Sequence, residues 1–151
     1  MHTELNIRIL KTDIETAAEV SRLIPELINP YPAAVYHQRM DGKISLSLVA
    51  YVDGQPAGLK VGYDKLGDGS FYSWMGGVVP TYRRNGIAKA LAQEQENWAA
   101  AQGFHTIVLK TRNRHKAMLI FALSNGFSIT GVEPRDATDE HRIILKKMLR
   151  F

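Results

Sequence analysis

Gly76-Gly77-Val78-Val79-Pro80-Thr81-Tyr82-Arg83-Arg84-Asn85-Gly86-Ile87-Ala88 decides how the rest of the chain is read. A β-branched and aromatic run ends here, and Pro80 breaks it. A basic turn containing glycine follows, and then a strongly helical segment begins. The stretch reads as a strand, a tight turn and a helix N-terminus. Backbone N–H groups at a helix start have no intrahelical partner and carry the positive end of the helix dipole. A glycine lets an anion approach that backbone, and arginines add charge. A capped surface turn is the plain alternative. The strand before and the helix after favour an anion cradle.

Working outward, Ser70 to Val79 is the strand that feeds this turn. Ile87, Leu91, Glu94 and Trp98 then recur on one helical face, with Gly103 as the stop. Upstream, Ile44 to Val52 and Ala57 to Tyr63 flank the turn Asp53-Gly54-Gln55-Pro56 and read as a hairpin. Near the start, Glu4 to Leu10 alternates as a first strand, with Leu5, Ile7 and Ile9 on one face. Thr12 or Asp13 caps the helix that follows, and Thr12 has capping-box spacing to Glu15. That helix runs from Ile14 through Ile24; Pro25, Asn29-Pro30 and Pro32 end the segment. A shorter helix spans Ala33 to Met40. Downstream, Thr106 to Leu109 is a buried strand and Asn113 to Asn125 a helix with Met118, Phe121 and Ala122 facing the core. Phe127 to Val132 and Arg142 to Met148 are closing strands.

Strand, two helices, three strands, helix, strand, helix and two strands make an α/β fold with one mixed sheet, of about seven strands and about four helices. At 151 residues the chain is expected to be a single domain, 1–151. It contains no cysteine, so no disulfide framework and no thiol nucleophile exist. That fits a reducing cytoplasm, the expected location. Met1 to Lys11 lacks the apolar core of a signal peptide, and no apolar run reaches membrane-spanning length. The five histidines show no metal-ligand spacing, so no metal is expected. The net charge of +4 suits nucleic acid or a polyanionic small molecule. Its placement favours the second. Arg83, Arg84, Arg112, Arg114 and Lys116 form two clusters, each at a predicted strand-to-helix junction, and neither a groove-reading helix nor an aromatic platform accompanies them.

Arg83 to Ala88 fits Arg/Gln-x-x-Gly-x-Gly/Ala, preceded by Val-Val-Pro-x-Tyr. This wording resembles the acetyl-CoA signature of the GNAT superfamily of N-acetyltransferases. Gly126-Phe127, at the end of the last helix, matches too, and the order of elements extends the resemblance over most of the chain. No Gly-Lys-Ser/Thr ends the turn, which separates it from a nucleotide-triphosphate loop.

The resemblance implies a GNAT-like fold and direct transfer of an acetyl group from acetyl-CoA to a primary amine, without a covalent enzyme intermediate. It implies that backbone groups of Val78 and Val79 hold the pantetheine and polarise the thioester. It implies that N–H groups of Arg84, Asn85, Gly86, Ile87 and Ala88 hold the pyrophosphate, with Arg83 bracing the loop or touching phosphate. Asn113 either hydrogen-bonds the pantetheine arm or is a plain helix cap; the family's Asn slot, counted back from Gly126, falls on His115. Many members carry a tyrosine four residues before this glycine as the acid for the departing thiolate. Here that position is Ala122. Ser124, Tyr72, Tyr63 or a water replaces it. For the base and the acceptor side, Asp64, Tyr72, Ser73 and Trp74 are candidates, and one of Ser73 and Trp74 faces the core. His37 borders the acceptor segment. Glu26, Asp41, Glu133, Asp136, Asp139 and Glu140 lie on flanking segments and suit a cationic amine, either a small molecule or a peptide. The missing tyrosine keeps a second reading open, a non-catalytic module that binds acyl-CoA or CoA. Ile143-Ile144-Leu145 is either an internal strand or the pairing edge of a homodimer.

Overall fold

The computed structural model describes residues 5–27 and 30–149. Seven strands form one sheet in the order β1-β2-β3-β4-β5-β7-β6. They are β1 (Ile7–Lys11), β2 (Ser45–Val52), β3 (Gln55–Tyr63), β4 (Ser70–Val78), β5 (Thr106–Arg112), β6 (Ser128–Glu133) and β7 (Arg142–Met148). Every neighbouring pair is antiparallel except β4 and β5. That pair needs a crossover, which α3 (Ile87–Ala101) supplies. The other helices are α1 (Ile14–Ser21), α2 (Ala33–Met40) and α4 (Lys116–Ser124). The expected mixed sheet with four helices is what forms. β7 is paired on both edges, by β5 and by β6, so Ile143-Ile144-Leu145 is an internal strand and offers no dimer edge.

Strand alternation sorts the sheet into two faces. Leu48, Ala50, Phe71, Ile107 and Leu145 pack under α3 and α4 with Ile87, Leu91 and Ala122. Val49, Leu59, Val61 and Tyr63 pack on the other face with Ala17, Val20, Ile24 and Tyr36 of the first two helical segments. Phe71 and Leu59 are wholly buried, each worth roughly 1.5–3 kcal/mol relative to exposure.

Several expectations shift. Asp13 is the cap of α1: its carboxylate accepts the Thr16 N–H at 2.8 Å. Thr12 is held by the sheet instead, its N–H on Ser47 O and its hydroxyl 3.3 Å from Ser47 Oγ. The helix stops at Ser21, and Leu23 and Ile24 continue in a tighter turn before Pro25. Asn29 and Glu4 lie outside the described residues. In α3 the buried face is Ile87, Leu91, Gln95 and Ala99; Glu94 points out. Helix α4 begins at Lys116 rather than Asn113, and Leu119, not Phe121, joins Met118 against the core. Leu5 and Ile44 are exposed, outside β1 and β2.

Candidate active site

The parallel pairing of β4 with β5 is short. It runs from Ser70 opposite Thr106 to Ser73 opposite Leu109 and then ends. Both strands continue, β4 to Val78 and β5 to Arg112, the latter still paired with β7. Their divergence starts at a bulge. On β3, Gly62 pairs with Ser73 and Val61 with Met75, so Trp74 is the extra residue. A bulge bends its strand and raises the local twist, which turns β4 away from β5. Gly76, in the middle of a central strand, is therefore exposed. The bulge lies at Trp74, two residues before the Gly76-Gly77 pair. Gly77 has a separate reason: a Cβ there would stand 3.0 Å from Ile24.

Hydrogen-bond direction alternates along an antiparallel strand. The Val79 N–H is committed to Ala57 O of β3 at 2.8 Å. Alternation then turns the backbone groups of Val78 and Gly76 the other way, into the opening left by β5. The Val78 carbonyl accepts Arg83 Nε at 3.0 Å. The same guanidinium pairs with the Glu26 carboxylate, and that arginine holds the Glu26 carboxyl below the usual range. Arg83 thus braces the loop to β4 and to the segment after α1.

Beyond Val78 the chain makes a single turn at Pro80–Tyr82, where Tyr82 N–H reaches Val79 O and Arg83 N–H reaches Pro80 O. The Asn85 side chain ties the loop to itself, donating to Tyr82 O and Arg83 O at 3.0 and 3.1 Å. Arg84 and Gly86 both have positive φ, 65° and 78°. Gly86 is the N-cap of the 15-residue α3, and no side chain caps it. The first carbonyl bond inside the helix is Ala90 N–H to Gly86 O, so the amides of Gly86, Ile87, Ala88 and Lys89 head the helix without intrahelical acceptors. A Cβ on Gly86 would meet nothing within 4 Å, which makes the mouth of this cradle open.

Beneath the opening, on the α3 side, sits Lys60. Its Nζ lies 3.5 Å from where a Gly76 Cβ would be. Burial pushes the Lys60 ammonium down to about 8, opposed by Glu96, whose carboxylate is engaged by Lys147 at 2.7 Å. Sequence reasoning passed over Lys60. Its signal was a lysine inside the apolar alternation of Leu59 and Val61.

The other face of the opening is aromatic. The Trp74 ring lies 5.0, 5.6 and 5.7 Å from those of Tyr36, Tyr31 and Tyr63, and Tyr63 stacks edge-on with Tyr72 at 5.7 Å. Arg39 covers Trp74 at 5.0 Å and Tyr31 at 5.8 Å, and Lys65 covers Tyr72 at 4.7 Å. Trp74 lies just past the last β4–β5 pair, so this floor meets the opening.

The proposed acids and bases do not converge. Tyr72 belongs to the aromatic floor, and burial raises its hydroxyl above the usual range. Ser73 is buried and alternates to the α3 face, while Trp74 takes the other. Ser124 is exposed at the end of α4. Asp64 accepts the Gly67 N–H within its own turn. Ala122 is buried in the core. His37 bonds Glu15 of α1 at 2.6 Å. Asn113 does not cap α4: it donates to Thr138 O and accepts from Lys116, and His115 holds the cap position without a side-chain bond. Partial burial, then Arg114 and Arg112, lower the His115 imidazole. Glu26, Glu133 and Glu140 are taken up by Arg83, by Lys110 with Arg135, and by Arg112 with Arg114. Among the described residues, no group of His, Asp or Glu is placed to hold a metal, and no helix is long and apolar enough to cross a membrane.

A sequence model described as the acetyltransferase (GNAT) family matches residues 13–127. A search of curated protein sequences finds no match. Among solved structures, the chain superposes on the ribosomal-protein-S18-alanine N-acetyltransferase from Escherichia coli with a TM-score of 0.79 at 18% identity, covering 96% of this chain and 95% of that one. An IAA acetyltransferase from Bacillus cereus gives 0.77 at 19% identity, over 95% and 100% of the two chains. An aminoglycoside 6'-N-acetyltransferase complexed with coenzyme A gives 0.76 at 19% identity, over 93% and 96%.

Proposed function

This chain belongs to the acetyltransferase (GNAT) family, and from that premise we propose that it moves the acetyl group of acetyl-CoA to a primary amine in one direct step. The observation that carries the reading is the break in β4–β5 pairing after Ser73 and Leu109, on the strand that leads through Pro80–Tyr82 into the open helix start at Gly86. Acetyl-CoA brings the acetyl group as a thioester. The amides at the head of α3, with Arg84 beside them, suit its pyrophosphate. In the opening, the backbone of Gly76 and the N–H of Val78, whose carbonyl is taken by Arg83, are turned to receive an amide arm. The Val79 amide, committed to Ala57, is not available for it. Donors fixed in a strand need no reorganisation when an oxyanion develops. The aromatic floor on the opposite face is where the amine meets the acetyl group, and holding the two partners together supplies much of the acceleration.

Departure of the thiolate needs no tyrosine at position 122, because a thiol of pKa about 8.5 is a tolerable leaving group near neutral pH. The buried Ala122 also favours a second reading, a domain that binds CoA without turnover.

Melting with and without acetyl-CoA, followed by calorimetry, tests the first step. A ligand at a hundredfold excess over its Kd stabilises the folded state by about 2.7 kcal/mol. Gly86→Val introduces a branched side chain at φ 78° in the mouth of the cradle; a folded variant is expected to lose this stabilisation. Unchanged affinity in that variant removes the cradle assignment. Binding without release of free thiol, over a broad amine panel, replaces the enzyme with the binding module.

A further inference from the structure

We propose that the acceptor amine is carried by a compound with an apolar or aromatic body and a carboxylate, the body lying on the Trp74 floor and the carboxylate meeting Arg39 and Lys65. This rests on the acetyl-transfer reading above. The floor presents the half-buried Tyr31, Tyr72 and Trp74, backed from within by the buried Tyr36 and Tyr63, with rings 5.0–6.3 Å apart in tilted or edge-on contacts. Such a surface binds flat or apolar groups by area and by ring geometry. An aromatic floor alone would equally suit a cation. Here the cation positions are filled by the chain itself. Arg39 lies over Trp74 and Tyr31, and Lys65 over Tyr72.

The charge around the floor completes the case. Neither Arg39 nor Lys65 is within ion-pair distance of an acidic side chain among the described residues. Partial burial, then Lys110 and Arg39, lower the Lys65 ammonium, and only Glu133 pulls it up. Arg142 and Arg39 both act on the Tyr72 hydroxyl. Glu133, the one acid in this company, is already engaged by Lys110. Of the acidic residues that the sequence offered for a cationic acceptor, Glu26, Glu133 and Glu140 are therefore spent on the chain's own arginines and lysines, and none of the others pairs with Arg39 or Lys65. A polyamine or an aminosugar would have to displace Arg39 and enter a field of its own sign. A carboxylate would find an arginine fork already held by stacking, which favours paired hydrogen bonds.

The test uses the full chain and matched amines: L-phenylalanine and 4-(aminomethyl)benzoate, their carboxamides, and spermidine. Binding is read from Trp74 fluorescence in a Trp98→Phe background, with no acetyl-CoA present. Each carboxylate is expected to bind at least about tenfold tighter than its amide, the scale of one charge-assisted contact. Arg39→Gln is expected to erase that preference while leaving the calorimetric Kd for acetyl-CoA unchanged. Equal binding of acid and amide, preference for spermidine, a preference surviving Arg39→Gln, or no fluorescence response to either carboxylate overturns the proposal. Failure of acetyl-CoA to bind while the carboxylates still do sinks the acetyl-transfer reading instead.

Discussion

A Cβ built on Gly62 would stand 2.5 Å from Phe71 Cε1 and 2.6 Å from the Tyr72 carbonyl. Gly62 is the β3 residue at which the register slips past Trp74. Only a residue without a side chain lets β3 follow the bulge this closely, and the bulge is what opens β4 from β5. Gly62→Ala is therefore expected to cost stability, about 1–3 kcal/mol as for an overpacked core. One of the two clashing groups is backbone and cannot swing aside. At about 2–4 °C per kcal/mol for a domain of this size, melting should fall by several degrees. An unchanged melting temperature would show that the bulge does not depend on Gly62.

Arg83 holds two acceptors at once, the Val78 carbonyl and the Glu26 carboxylate. Lysine has no fork to span them. Arg83→Lys is expected to weaken acetyl-CoA binding about tenfold by calorimetry, and Glu26→Gln less, because it leaves the bond to Val78. Both partners are 40% or more exposed, so the effect of Glu26→Gln on stability should stay within about 1 kcal/mol. The folded carboxyl of Glu26 is lowered. Its contribution is present above the unfolded carboxyl value and is lost as pH falls through the folded one, so wild type and Glu26→Gln should converge in acid. Equal affinity in all three proteins would mean that the loop needs no brace.

Local pattern carried most of this fold into the sequence. The turn at Asp53-Gly54 and the alternation on either side gave the β2–β3 hairpin, and Gly103 gave the end of α3. The strand–turn–helix junction at Gly86 was legible because its signal is contiguous, a glycine and arginines between a β-rich run and a helical one. What stayed hidden depends on pairing between distant residues. The bulge at Trp74 is defined by Val61 and Gly62, and nothing near Trp74 announces it. The commitment of the Val79 amide follows from register with Ala57. Nothing in the sequence of α2 sets Arg39 apart; folding lays it over Trp74, 35 positions on. The acids were visible as residues, but the ion pairs of Glu26, Glu133 and Glu140 were not, because their partners are brought to them by folding.

Gln95 lies on the buried stripe of α3, 1% exposed, and its Nε2 has no hydrogen-bond partner. An unsatisfied buried donor costs about 1–3 kcal/mol. Gln95→Met keeps much of the volume and the helix propensity while removing the donor. A rise in melting temperature of a few degrees is expected. A fall would show that Nε2 serves a contact made only in another state of the protein.

Lys60 offers the sharpest reading of pH. Its ammonium is pushed from 10.5 down to about 8 by burial beneath the opening. In the window between these values the unfolded chain binds more protons than the folded one. Stability from this group therefore rises with pH through that window. Below it, folding carries a desolvated charge that a neutral side chain would not. Lys60→Met keeps the apolar stem and drops the charge, so it should be more stable than wild type near pH 7. The gap should narrow towards about pH 10, as wild type sheds its proton. Because Lys60 is only partly buried by surface area, solvent screening makes the gain smaller than the full shift implies. Urea unfolding of both proteins at about pH 7 and about pH 10 measures the two gaps. A gap of the same size at both would mean that Lys60 is as well hydrated in the folded chain as in the unfolded one, and so does not lie beneath the opening beside Gly76.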